Sequence, residues 1–367
     1  MSQADPIVIV SAARTPMGGF QGDFNSLTAS QLGATAIAAA VERAGISGED
    51  VQEAVMGCVL PAGQGQAPAR QAVLGAKLPL SVNCTTINKM CGSGMKAIMF
   101  AHDMLLAGSN QVMVAGGMES MSQAPYLLPK ARGGFRLGHG DIKDHMFLDG
   151  LEDAYDKGKL MGWFAEICAE KYGFSREAQD DFAVRSLQRA QHAIQSGLFK
   201  AEIAPVTVAG RKGEVLIEND EQPLKANLEK IPTLKPAFKK DGTVTPANSS
   251  SISDGAAAVV MMKLSEAEKR GLKPIAKIVG HSTHAHEPAW FSTAPVDAMR
   301  KLLNQIGWTT DDVDLYEINE AFAVVTMAAM HDLALPADKV NVRGGACALG
   351  HRSEERRVGK ECLRLCR

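Results

Sequence analysis

Between residues 6 and 117 four short apolar runs, PIVIVSA, VQEAVMG, NCTTIN and QVMVAGG, are separated by stretches with helical periodicity. Strands that alternate with helices predict an α/β fold with a largely parallel sheet covered on both faces. SLTASQLGATAIAAAVERAG reads as a helix with Thr28 as its N-cap and Gly45 as its stop. ARQAVLGAKL predicts a second helix, and NCTTIN leads straight into a third that starts at Cys91.

From about Met121 to Ser251 the rhythm breaks into long polar loops, a glycine-rich stretch (ARGGFRLGHGDIKDHMF) and two amphipathic helices, near Gly162–Tyr172 and Arg176–Ser196. This reads as an insertion, after which SDGAAAVVMM returns to a buried strand. From Pro274 the alternation resumes through IAKIVGH, VDAMRKLLNQIG, VDLYEIN, EAFAVVTMAAMHDL and KVNVRGG. The two halves match in spacing. Cys91 lies in a small-residue turn 40 residues after Val51, and His351 ends a glycine-rich turn 38 residues after Val313. A duplicated α/β unit is the economical reading. Two facing halves bring both turns to the carboxyl ends of their strands, where open α/β sheets bind ligands.

With 39 basic and 41 acidic residues the net charge is −2, so no bulk positive field holds nucleic acid or an anionic membrane. No apolar run approaches the ~18 residues of a membrane helix. MSQADPIVIVSAARTP lacks the pattern of a secretory leader. Seven scattered cysteines show neither zinc spacing nor a disulfide framework, which points to a reducing, cytoplasmic setting.

In NKMCGSGMKA the glycines at 92 and 94 leave room for a substrate to approach the Cys91 sulfur. They also free N–H groups for an oxyanion, and a helix start favours the thiolate. The competing reading is a buried structural cysteine, as expected for Cys58, Cys84 and Cys168. His351, in GGACALGH, can hydrogen-bond a thiol or donate to a carbonyl oxygen, although a lone histidine is more often a satisfied polar group. Cys347 reads as packing between alanines. In EINEAFA, Asn319 and Glu320 fit a helix cap, or Asn319 holds a water or a substrate oxygen. The loop TPANSSSISDG, with Asn248, Ser249, Ser250, Ser251 and Asp254, is either a run of turns or a set of donors for an amide-bearing ligand. Met90, Met95, Met99 and Met118 read as core or pocket lining. His284 and His286, in HSTHAHEP, invite a metal, but no cysteine or carboxylate cluster completes a site, so none is expected.

SAARTPMGGFQG, NKMCGSGMKA, VMVAGGMESMS, KPAFKKDGTVTPANSSSISDGAAAVV, EINEAFA and NVRGGACALGH occur in that order over residues 6–351. Together they resemble the thiolase family, and within it the acetyl-CoA acetyltransferases. The resemblance implies two homologous βαβαβαββ halves. Residues 1–121 and 252–272 would form the first, 273–351 an incomplete second, and 122–251 a loop domain that binds coenzyme A and carries assembly contacts near 122–146. It implies reversible Claisen chemistry in which two acetyl-CoA give acetoacetyl-CoA and CoA. Cys91 would carry the acyl group and lend its N–H to one oxyanion hole. His351 would activate the sulfur and donate to the thioester oxygen. Asn319 would hold a water in that same oxyanion hole. Phe238, Ser250, Ala321 and Phe322 would line the pantetheine tunnel. The partners implied are acetyl-CoA, acetoacetyl-CoA, CoA and further copies of the chain, as a dimer or tetramer. Beyond CoA as substrate and product, no cofactor is implied.

Two stretches depart from the pattern. Leu160 stands where many acetyl-specific members have a histidine, which bears on acyl chain length. Residues 352–367, RSEERRVGKECLRLCR, with six basic and three acidic side chains, match nothing in the family. The family places its second cysteine, the base for the attacking acetyl group, beyond this point, and Cys362 and Cys366 are poor stand-ins. Condensation is therefore expected to be impaired. The rival readings are a 3-ketoacyl-carrier-protein synthase, which shares a cysteine nucleophile, and an inert chain of thiolase fold.

Overall fold

The computed structural model describes residues 5–210 and 213–351. The 352–367 tail, with Cys362 and Cys366, lies outside the described residues, and so does the expectation of impaired condensation that rests on it. The strands are β1 Ile7–Arg14, β2 Gly18–Gly19, β3 Glu53–Gly57, β4 Asn83–Ile87, β5 Val112–Ser120, β6 Tyr126–Leu127, β7 Lys143–Asp144, β8 Val206–Gly210, β9 Gly213–Ile217, β10 Ser253–Lys263 and β11 Ala276–Lys277. The α-helices are α1 Ala29–Ala44, α2 Pro68–Gly75, α3 Ser93–Ala107, α4 Met161–Tyr172, α5 Arg176–Gln195, α6 Glu221–Lys225, α7 Leu264–Lys269, α8 Ala294–Ile306, α9 Ala323–Asp332 and α10 Ala346–Leu349. Helix α1 starts and stops where the sequence predicts. Thr28 and Gln31 form a reciprocal capping box, and Gly45 closes the end at φ 68°.

The main sheet runs in the order β11-β1-β10-β5-β3-β4, with β2 also paired to β10. It is mixed, which corrects the largely parallel expectation. Only the β3–β4 and β3–β5 pairs are parallel, while β10 runs antiparallel to both β1 and β5. The chain leaves β5 at Ser120 and, after the whole insertion, re-enters beside it, with Asp254 paired to Ser120. A strand that returns from the same end has to run the other way.

Strand β10 alternates strictly between two cores. Ala256, Ala258, Val260 and Met262 face α1 and α2, whereas Ala257, Val259 and Met261 face α3. Burial on both faces makes register costly to change, since a one-residue slip exchanges the two sets.

The insertion is fastened to the sheet by buried charge. Arg14, 2% exposed, makes a two-pronged contact with Asp220 at 2.7 and 2.9 Å and reaches Glu202 at 2.7 Å. The N–H of Met17 adds a bond to Asp220 at 2.9 Å.

In the second half the helices α8 and α9 form as expected, but the strands are reduced. IAKIVGH keeps only β11, which pairs with β1 in the first half's sheet. VDLYEIN and KVNVRGG meet in one parallel bridge, Tyr316 to Val340. Among the described residues no further strand pairs with them, and two short strands alone sustain little ladder.

Candidate active site

Cys91 is exposed and lies one residue before Gly92, the N-cap of α3, so it precedes the helix rather than starting it. A compact loop presents it. Met90 adopts a left-handed backbone at φ 46°. The Ser93 hydroxyl accepts from the Lys89 N–H and donates to the Met90 carbonyl, both at 2.7 Å. Fully buried Ser93 is a positioning residue that the sequence reading missed; its one clue was a hydroxyl in the first turn of a helix whose N-cap, Gly92, has no side chain to cap with.

The N–H groups of Gly92 and Ser93 donate to Lys89 and Met90 carbonyls at 3.1 Å. This corrects the expectation that Gly92 keeps its N–H for an oxyanion. The steric expectation fits better. Gly92 has φ −106°, and an added Cβ would meet only the Lys89 carbonyl at 3.6 Å. The local fold does not require glycine there, so its smallness serves the open space before the sulfur.

Three sheet contacts fix this loop. The Asn88 amide donates to the Val59 carbonyl at 3.2 Å. The N–H groups of Val59 and Leu60 donate to Glu119, at the end of β5, at 2.8 and 3.2 Å. Val59 and Leu60 then pack with Met146 and Ile252. Ile252 pairs in a parallel bridge with His351, whose N–H donates to Ser251 at 3.0 Å. Cys91 and His351 thus stand at the same end of the first sheet, on segments joined by one small core. Gly350, at φ 96°, lets the chain reach that bridge.

Four residues before His351, Cys347 meets a buried carboxylate. Glu320, 1% exposed, accepts from Ser186 Oγ at 2.7 Å, Asn341 Nδ2 at 2.8 Å and the Cys347 N–H at 3.0 Å. Asn341 also clasps the Ile318 backbone through both its amide atoms at 2.8 Å. The network locks EINEAFA to GGACALGH, a role beyond the cap that the sequence suggested. Asn319, half-buried, sits between its locked neighbours, and its side chain makes no hydrogen bond among the described residues. Glu320→Ala should cost roughly 1–3 kcal/mol for each donor it strands, read as a lowered midpoint in urea. An unchanged midpoint would show that the carboxylate holds nothing.

The four tunnel candidates also converge. Phe238 and Phe322 meet edge to face with centroids 5.9 Å apart, in a cluster that includes Ala321 and Met161. The Ser250 hydroxyl donates to the Ala321 carbonyl at 2.9 Å. Leu160 precedes Met161 as the N-cap of α4.

The other described cysteines are withdrawn. Cys58 and Cys168 are buried, and Cys84 and Cys347 half-buried. Burial pushes the Cys84 and Cys168 thiols up. A cavity of about 900 Å³ on the outer side of α1, lined by Gln31, Ala38, Arg43 and Gln71, involves none of the candidate residues.

The premise that no carboxylate accompanies the histidines is corrected. Asp297 of α8 stands 3.5 Å from His284, and Asp103 of α3 lies against His102 and His281. Both carboxylates come from helices that the sequence gave no reason to place there.

Comparisons with known proteins place the chain as a whole. The family model "Thiolase, N-terminal domain" matches residues 7–265, and "Thiolase, C-terminal domain" matches residues 272–354. Acetyl-CoA acetyltransferase 2 of Arabidopsis thaliana is 51% identical over 349 residues, 94% of this chain and 86% of that one. The structure of the Acat5 thiolase from Ascaris suum in complex with coenzyme A superposes with a TM-score of 0.90 at 40% identity, covering 94% of this chain and 89% of that one. The Bacillus anthracis acetyl-CoA acetyltransferase gives 0.92 at 40% identity, covering 96% and 89%.

Proposed function

Because the chain belongs to the thiolase family, we propose that it is an acetyl-CoA C-acetyltransferase, joining two acetyl-CoA into acetoacetyl-CoA and CoA, and reversibly so. The observation that carries this is the exposed Cys91 on its braced loop, at the sheet end that His351 also reaches.

The Cys91 sulfur attacks the carbonyl carbon of acetyl-CoA, and its proton passes to His351. The tetrahedral intermediate collapses, the carbon–sulfur bond to CoA breaks, and CoA leaves with the proton that His351 returns. Acetyl is now held on Cys91 as a thioester. A second acetyl-CoA loses a proton from its methyl carbon, and that carbon attacks the thioester; the carbon–sulfur bond to Cys91 breaks, acetoacetyl-CoA leaves, and the released Cys91 thiolate takes up the equivalent of that proton. Two easier steps replace one hard carbon–carbon bond formation. Asn319, with its side chain uncommitted between locked neighbours, holds a water near the thioester oxygen of the bound acyl-CoA. The Cys91 N–H serves the oxyanion of the acyl-enzyme.

The arm of CoA runs past Phe238, Ser250, Ala321 and Phe322. Gly162 makes room for this wall, since a Cβ there would lie 2.3 Å from the Phe238 ring. Gly162→Ala should therefore raise KM for acetyl-CoA by about fivefold to a hundredfold, as overpacking of ~1–3 kcal/mol implies. An unchanged KM would take Phe238 out of the tunnel.

Copies of the chain assemble, as a dimer or a tetramer. Strand β4 is an open sheet edge. Tyr126, Leu128, Phe135, Leu137 and Ile142 expose apolar surface in the 122–146 segment, as an assembly loop would. The seven cysteines are scattered through the sequence without the spacing of a disulfide framework, which suits a cytoplasmic setting. No helix among the described residues is long and apolar enough to cross a membrane.

Incubation with acetyl-CoA, followed by peptide mapping, tests the reading. Acetyl on the Cys91 peptide with release of CoA is the expected result. Acetyl accepted only from a carrier protein would point to the synthase instead.

A further inference from the structure

The function above leaves unused a cluster on the far part of α3. His102 and Asp103 are neighbours on that helix, and His281 follows β11, 178 residues from Asp103. Asp103 Oδ1 receives both rings, His102 Nδ1 at 3.0 Å and His281 Nε2 at 2.9 Å. One ligand atom from each residue lies within 4.8 Å of the other two.

We infer that His102, Asp103 and His281 form a binding site for a divalent transition-metal ion, clipping α3 to the segment after β11. Metal–ligand bonds of ~2.0–2.2 Å in a tetrahedral site set neighbouring ligand atoms about 3.3–3.6 Å apart. The two observed separations, 3.0 and 2.9 Å, are hydrogen-bond lengths just below that range, so the rings have to part from the carboxylate by some tenths of an ångström to admit an ion. Each ring then turns a lone pair to the ion and carries its proton on its other nitrogen. Two imidazoles and one carboxylate favour Zn²⁺, Co²⁺ or Ni²⁺ over Mg²⁺ or Ca²⁺. The imidazole side chains are shielded, at 12% and 25% exposure.

The second cluster, His284, His286 and Asp297, is less suited. Asp297 already accepts from Arg300 at 3.2 Å, and His286 Nε2 contacts the Trp290 carbonyl at 2.6 Å. It serves as the internal control.

Calorimetric titration of the full chain with ZnCl₂, and absorption spectra with CoCl₂, test the site. The expected result is one ion per chain and a cobalt spectrum free of sulfur-to-metal bands. Affinity should fall at least ~10-fold in His281→Ala and in Asp103→Asn, since even a change behind the ligands costs that much. His284→Ala should bind as the parent does. Circular dichroism and acetylation of Cys91 report that each variant is folded. Parent-like affinity in both His281→Ala and Asp103→Asn, or a sulfur-ligated cobalt spectrum, would overturn the site.

Discussion

Cys91→Ala should abolish acetyl transfer from acetyl-CoA to the chain while leaving the fold intact. Residue 91 is exposed, and the loop around it is held by Ser93, Asn88 and backbone groups. Truncation to Ala therefore removes the sulfur and little packing. No other described thiol can stand in, because Cys58 and Cys168 are buried and Cys84 and Cys347 half-buried. Intact mass after exposure to acetyl-CoA reads the result directly, with Cys362 and Cys366 changed to Ala in both proteins. Acetyl label that persists on the Cys91→Ala chain would sink the assignment, and so would its absence from the Cys91 parent.

His351→Ala should slow acyl transfer at least ~10²–10³-fold, the usual cost of losing one donor to a developing oxyanion. The segment that carries it is anchored through the backbone, by the bridge to Ile252 and the N–H bond to Ser251. The expected signature is a fall in kcat with KM little changed, because the donor acts when charge develops on oxygen. Asn319→Ala should be milder, since it holds a water instead of the oxyanion itself. The rate of CoA release in a single turnover separates these effects. Near-normal release by His351→Ala would remove histidine from the chemistry.

What the sequence disclosed follows from how far each signal reaches. Thr28 and Gly45 bound α1 because capping is settled within four residues. The Cys91 loop was visible because small residues around a thiol are a local pattern. The direction of β10 was hidden: it depends on where the chain re-enters after more than a hundred residues, and an apolar strand reads the same both ways. Glu320 looked like an end-cap because Ser186, Asn341 and Cys347, which donate to it, sit far from it in the chain. The same holds for Asp103 and His281. Buried polar partnerships are three-dimensional facts, and one-dimensional text shows only their donors and acceptors.

The buried Arg14 contact with Asp220 and Glu202 has a kinetic meaning. It roots the inserted region on the sheet before any ligand arrives, and breaking such a pair typically costs ~3–5 kcal/mol. An opening of that root on each turnover would have to meet this cost every time. The order needed to receive a long, flexible thioester is set when the chain folds, so association loses less freedom than it would with a disordered receiver.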